Sequence, residues 1–254
     1  FKVNDYETAI VQYDKAIAKG TEDAVIYNNR GKAKLALKQF EASIVDFDKA
    51  LTLKPDYDKS LEGRGKAKFE LKDYASAILD LEKNTSTATA DRDVATMLAI
   101  AKYETNDKNG AQPYIDTAIK KGAKNPELYL YSGEIKYDAK DFKTAEQHIA
   151  LAIEGGKDSP ALYEKLGVSQ FENGKMKEAV ETLSLAENKG ITSMLLYSCR
   201  GQANFSLKDW ANSSEDLGKA AELGSVDPQL YNNLGDARFR LENYSGAIAA
   251  YDKA

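Results

Sequence analysis

Small and apolar residues return along this chain at a fixed interval of 34 positions. Gly31, Gly65, Gly133, Gly167, Gly201 and Gly235 form one column, with Ala99 at the place between Gly65 and Gly133. Ala9, Ser43, Ala77, Ala111, Ala145, Ala179, Ser213 and Ala247 form a second column, all small. Ala16, Ala50, Ala118, Ala152, Ala186, Ala220 and Ala254 form a third, interrupted at Asn84. A strict period of this length predicts a helical-repeat array, in which each unit buries its apolar face against its neighbours and the core runs as a strip along the stack.

Within residues 24–57 the pattern resolves into two helices. Tyr27, Gly31, Leu35 and Leu37 mark the apolar side of the first; Ser43, Ile44, Phe47, Ala50 and Leu51 mark that of the second. The short turn Lys38-Gln39-Phe40 separates them. Other units place Asp5, Asp73, Asp141 or Asp209 at this turn, followed by Tyr6, Tyr74, Phe142 or Trp210. The Asp is expected to cap the second helix, and the aromatic to wedge between the paired helices. The small columns let those helices approach closely. Between units, Gly20, Gly122, Gly156, Gly190 and Gly224 supply the left-handed residue that ends a helix. Asn125-Pro126, Ser159-Pro160 and Asp227-Pro228 then read as N-caps followed by proline in the first helical position. The predicted class is all-α.

These columns resemble the tetratricopeptide repeat, whose signature is aromatic-x-x-Leu-Gly, then Ala-x-x-x-Phe, a later Ala and a Pro. The clearest copy is Tyr231, Leu234, Gly235, Tyr244, Ala247, Tyr251 and Ala254; the unit from Ala24 adds Pro55. The register divides residues 1–254 into full units at 24–57, 58–91, 92–125, 126–159, 160–193 and 194–227, with partial units at 1–23 and 228–254. The resemblance implies a single right-handed superhelical solenoid of antiparallel helix pairs. Departures fall at Arg30, Arg64 and Arg200, where the family carries Leu, and at Lys34, Lys68 and Lys102, where it carries Tyr. The weakest unit is 92–125, with Lys108 in place of the wedge aromatic and Pro113 early in its second helix. A late start near Gly110 would accommodate that proline, and otherwise the helix kinks there. Residues 84–113 are thus a candidate bend. The chain opens and closes inside a unit, so the array is expected to continue, or to pack at its ends on a partner or another copy.

Composition narrows the function. Lys and Arg number 35 against 40 Asp and Glu, for a net charge of −5. That balance disfavours sequence-independent nucleic-acid binding, which needs clustered cations facing phosphates. No apolar run reaches the ~18–20 residues of a membrane span. Catalytic chemistry finds little support. His148 is the one histidine and reads as a packed side chain of a second helix; Cys199, the one cysteine, has no histidine near it in sequence. No phosphate loop, metal-spaced ligand set or cofactor motif is present.

Family members bind partner peptides or helices in a groove lined by the first helices. Carried onto this chain, the resemblance assigns Asn28, Asn29, Lys32, Lys59 and Lys66 to the early part of the groove. Tyr103, Tyr131, Glu134, Tyr137, Asp138, Glu164, Phe171 and Glu172 line its middle. The aromatic and acidic middle suits a protein or peptide carrying basic and apolar residues. The family's clamp for C-terminal carboxylates is not assembled: Asn29 and Lys59 match isolated positions, and Gly63 stands where arginine is needed. The reading is a non-enzymatic interaction scaffold. Its rivals are a self-assembling structural array and an RNA-binding helical repeat.

Overall fold

The computed structural model describes residues 3–83 and 85–254; Asn84, where the alanine column breaks, lies outside the described residues, as do Phe1 and Lys2. All regular structure among the described residues is α-helix, and the chain divides into two compact units, 1–124 and 125–254. The first unit holds α1 (Val3–Ala18), α2 (Ala24–Ala36), α3 (Phe40–Leu53), α4 (Asp58–Glu70), α5 (Tyr74–Glu82), α6 (Arg92–Glu104) and α7 (Lys108–Lys120). The second holds α8 (Pro126–Asp138), α9 (Phe142–Glu154), α10 (Pro160–Glu172), α11 (Met176–Asn188), α12 (Met194–Ser206), α13 (Trp210–Glu222), α14 (Pro228–Arg240) and α15 (Tyr244–Tyr251). From α2 onward, each even-numbered helix pairs with the odd-numbered helix that follows it.

Close approach explains the glycine column. A Cβ added at Gly133 would sit 2.6 Å from Ile149, at Gly167 2.6 Å from Leu183, and at Gly201 2.8 Å from Leu217. Each glycine thus faces a fully buried residue on the second helix of its own pair. Any side chain there would push the two helices apart.

The turns inside each pair are tighter than the sequence suggests. Lys38, Lys72, Asn106, Lys140, Gly174, Lys208 and Glu242 all adopt positive φ, between 58° and 77°. Around Lys140, the Lys140 N–H donates to Tyr137 O and the Asp141 N–H to Lys136 O, both at 2.9 Å. This is a Schellman ending, and its last residue is at once the N-cap of the next helix. Asp73, Asp107, Asp141, Asp209 and Asn243 all accept a hydrogen bond from a backbone N–H three residues on. Asp5 does not serve this way, because α1 already begins at Val3 and takes Asp5 into its first turn. Ser159 likewise makes no side-chain cap bond, whereas Asn125 and Asp227 do. The wedge aromatics meet their partners as expected: Tyr137–Phe142, Phe205–Trp210 and Phe239–Tyr244 pack edge to face, with ring centres 5.8, 5.2 and 5.5 Å apart.

One local expectation changes, and one helix is short. Helix α7 starts at Lys108 rather than near Gly110, so Pro113 lies inside it and leaves the Asn109 carbonyl without its i+4 donor. Helix α5 is only 9 residues long. The stretch after it is held by the Ser86 N–H donating to Thr89 Oγ1 at 2.9 Å, and by Lys121 donating to the buried Ala90 carbonyl.

The arginines that replace leucine do not face outward. Arg30 donates to Asp46, Arg64 to Asp80 and Arg200 to Asp216, in each case through Nε and Nη2, and all three aspartates are buried. Arg30 also reaches Asp14, and Arg64 reaches Asp48, each at 2.6 Å, so each guanidinium ties its first helix to the second helices on either side. Lys34 and Lys68 complete the same clusters through Asp46 and Asp80, both at 2.8 Å. In the unit where Ser132 takes the arginine's place, His148 takes the aspartate's, and the two hydrogen-bond at 2.8 Å.

Candidate functional site

The candidate groove residues fall on the first helices of both units, and the structure sorts them by burial. In the first unit, Asn28 is fully buried: its amide donates to Asn29 at 3.0 Å and its oxygen accepts from Ser60 at 3.1 Å. It joins α2 to α4 and is withdrawn from any binding surface. Asn29 is half-buried above it, and Lys32 and Lys59 are exposed. Lys66 is half-buried and pairs with Glu62 at 2.5 Å. The lysines converge: although Lys32 is exposed overall, partial loss of hydration at its ammonium lowers its pKa, and the nearby charges of Lys59 and Lys66 lower it further, against Glu62. Tyr103 sits half-buried at the end of α6, with the Lys108 ammonium 5.7 Å from its ring centre. A cation therefore replaces the missing wedge aromatic there.

In the second unit, α8, α10 and α12 bring several candidates together. Tyr137 is half-buried, packed edge to face on Phe142 and against the apolar cluster that contains Val168 and Cys199. Phe171 packs on the same cluster. Burial pushes the Tyr137 hydroxyl up to about 12, reinforced by the acidic groups of Cys199, Glu164, Asp138 and Glu172. Cys199 is buried and its thiol is also raised to about 12, first by burial and then by Glu172 and Glu164. At that value it is a packed apolar side chain rather than a nucleophile. Glu164 accepts a hydrogen bond from Ser193, while Glu172 and Asp138 are exposed at the helix ends. Tyr131 is buried and contributes to the base of this face rather than to its surface.

Sequence reasoning missed two features here. Lys165, on the same register column as Tyr131 and Cys199, donates to Glu134 at 2.6 Å and bridges α8 to α10. Beside that pair lies a cavity of about 360 Å³ lined by Leu130, Glu134, Ala161 and Leu162 together with the loop residues Gly156, Lys157, Asp158 and Ser159. The column alignment could have flagged Lys165, but the cavity depends on the loop at Gly156–Ser159 and has no sequence signature. Among the described residues no group of side chains could hold a metal ion, and no helix is long and apolar enough to cross a membrane.

Comparison with known families supports the assignment. Models of the tetratricopeptide repeat match residues 24–57, 96–160 and 200–254, together more than half of the chain. The chain belongs to the tetratricopeptide repeat (TPR) family. The TPR match at residues 24–57 has the bounds of the first full unit read from the glycine and alanine columns. Solved structures with similar folds include YrrB, described as a TPR protein with an unusual peptide-binding site, at 21% identity and a TM-score of 0.54 over 72% of this chain and 95% of that one. MamA from AMB-1 matches at 17% identity and a TM-score of 0.51, covering 66% of this chain and 93% of that one. A further MamA structure matches at 21% identity and 0.50, covering 65% and 91%. No curated protein matches the chain. As a TPR protein, the chain is a protein-interaction repeat scaffold of a generally non-enzymatic family, with proteins as its expected class of partner.

Proposed function

We propose that the face formed by α8, α10 and α12 binds a partner segment that carries basic and apolar residues. One observation carries this reading. Tyr137 is seated on an apolar base, and the carboxylates of Glu164, Asp138 and Glu172 stand close enough to add to the effect of burial on its hydroxyl, so acidic groups and apolar surface coincide. Aromatic and aliphatic anchors supply affinity in such a site, and the carboxylates supply register and association rate. The cavity beside Leu130 and Leu162 suits one aliphatic side chain of the partner. Lys32, Lys59 and Lys66 belong to the first unit, their charges oppose a basic segment, and they are left out of this site. The same acidity opposes an RNA phosphate backbone on α8, α10 and α12.

Peptide display against the full chain tests the proposal. Enriched sequences should be basic and apolar. The double change Glu164→Lys and Glu172→Lys should weaken their binding about tenfold or more at low salt without reducing helicity by circular dichroism. Unchanged affinity in that variant would place the site elsewhere.

A further inference from the structure

A cation already sits in the acidic face. The Lys165 Nζ lies 2.6 Å from Glu134 Oε1 and 5.9 Å from the centre of the Tyr137 ring. The two paired side chains are 26% and 25% exposed, so solvent and an incoming group can both reach them. A carboxylate on one side and an aromatic ring on the other are the two contacts that a partner's ammonium or guanidinium would make at this point. The fold does not call for a lysine here, since the same register position holds Tyr131, Cys199 and Asn233 in other units of this half. The pair differs from the interior clusters too. Arg200 ties a first helix to second helices through the nearly buried Asp216, whereas Lys165 links two first helices across the surface itself. Glu134 also lines the cavity beside Leu130 and Leu162, so the carboxylate that Lys165 holds borders the place proposed for an apolar anchor.

We propose that Lys165 is a built-in competitor of this face: it occupies Glu134 and the Tyr137 ring until a partner's cation displaces it, and so sets how basic a segment must be to bind. This rests on the reading that the face takes a basic, apolar segment. A partner lysine at this point exchanges one ion pair for another and gains little. A segment with further cations against Glu164 and Glu172 compensates for the displacement, and one without cations leaves Lys165 in place. Lys165 therefore acts on specificity, and its removal should broaden the range of peptides that bind.

The test is a set of fluorescence-anisotropy titrations of the full chain with a labelled heptapeptide of alternating lysine and leucine. Lys165→Met should bind it about two- to five-fold more tightly than the parent chain, the size of a partly exposed ion pair. Lys165→Arg keeps the competitor and should bind no more tightly than the parent. Lys143→Met, which removes one exposed charge from α9, should leave the affinity unchanged. If Lys165→Met fails to tighten binding, or Lys143→Met tightens it equally, the competitor role is overturned. The variant carrying Glu164→Lys and Glu172→Lys separates the two claims. If it weakens binding while Lys165→Met has no effect, the face stands and only the competitor falls. If it binds the peptide as well as the parent, the face itself is wrong. Circular dichroism of each variant confirms that the helices are intact.

Discussion

Replacing Arg200 with leucine should cost about 3–5 kcal/mol of stability, because it strips a buried carboxylate of its charge partner. The guanidinium donates twice to Asp216, each time at 2.8 Å, and pairs with Glu187 at 2.6 Å. It also donates to Ser184 at 3.2 Å and lies 5.7 Å from the Tyr197 ring centre. Asp216 is 3% exposed, and the Asn204 amide that also reaches it does so at a weak 3.4 Å. The chain contains its own compensated alternatives: Leu166 with Thr182, and Leu234 with Ala250, occupy the same two register positions. The double variant Arg200→Leu, Asp216→Thr should therefore recover more than half of the loss, since no charge is left buried alone. Urea unfolding followed by circular dichroism measures the helices. Trp210, the one tryptophan, opens α13 and packs on Phe205 of α12, so its fluorescence reports on the docking of these two helices. A single variant that costs less than about 1 kcal/mol would place the pair among weak surface bridges. A double variant as unstable as the single would show that packing, not charge, dominates.

Three further outcomes follow from the geometry. Gly167→Ala should lose about 1–3 kcal/mol in the same unfolding assay, because its Cβ would lie 2.6 Å from Leu183. Lys140→Gly should gain about 1 kcal/mol, since Lys140 holds a φ of 60° that glycine adopts without strain, and thermal melting would register the gain. Burial works to raise the Asp80 carboxyl, but hydrogen bonds and charge from Arg64 and Lys68 outweigh it and hold the group below its ordinary value. The unfolded chain therefore binds this proton first. Asp80 contributes stability above the ordinary carboxylate range near pH ~4, and that contribution fades as pH falls through its lowered folded value. Asp80→Asn should flatten this part of the stability curve, and a curve of unchanged slope would contradict the assignment.

The helix pairs were legible because close packing leaves a columnar trace. The glycines face large residues 16 positions on, and the capping aspartates and junction glycines recur with them. The interior charge clusters were hidden for a related reason. Arg30, Arg64 and Arg200 look like surface replacements of leucine until the column 16 positions later is read beside them, where Asp46, Asp80 and Asp216 appear. Asn28 misled in the same manner. Its register suggested the groove, but Ser60, 32 positions on, replaces an apolar residue and draws the amide inward. The positive-φ lysines carry no local signal of their own; in their column only Gly174 and Asn106 are residues that favour this backbone. In the acidic face, the charges were visible in sequence, whereas their pairing was not. Glu134 and Lys165 belong to successive repeats of the second unit, and their meeting depends on how neighbouring first helices are spaced.

The central claim, that the α8–α10–α12 face receives the partner, is tested most directly by photocrosslinking from defined positions. A benzoylphenylalanine placed at Phe171 should crosslink to the basic, apolar peptides recovered by display. The same group at Leu185, exposed on the second helix α11, should capture none. Crosslinking from position 185 with none from position 171 would contradict the account.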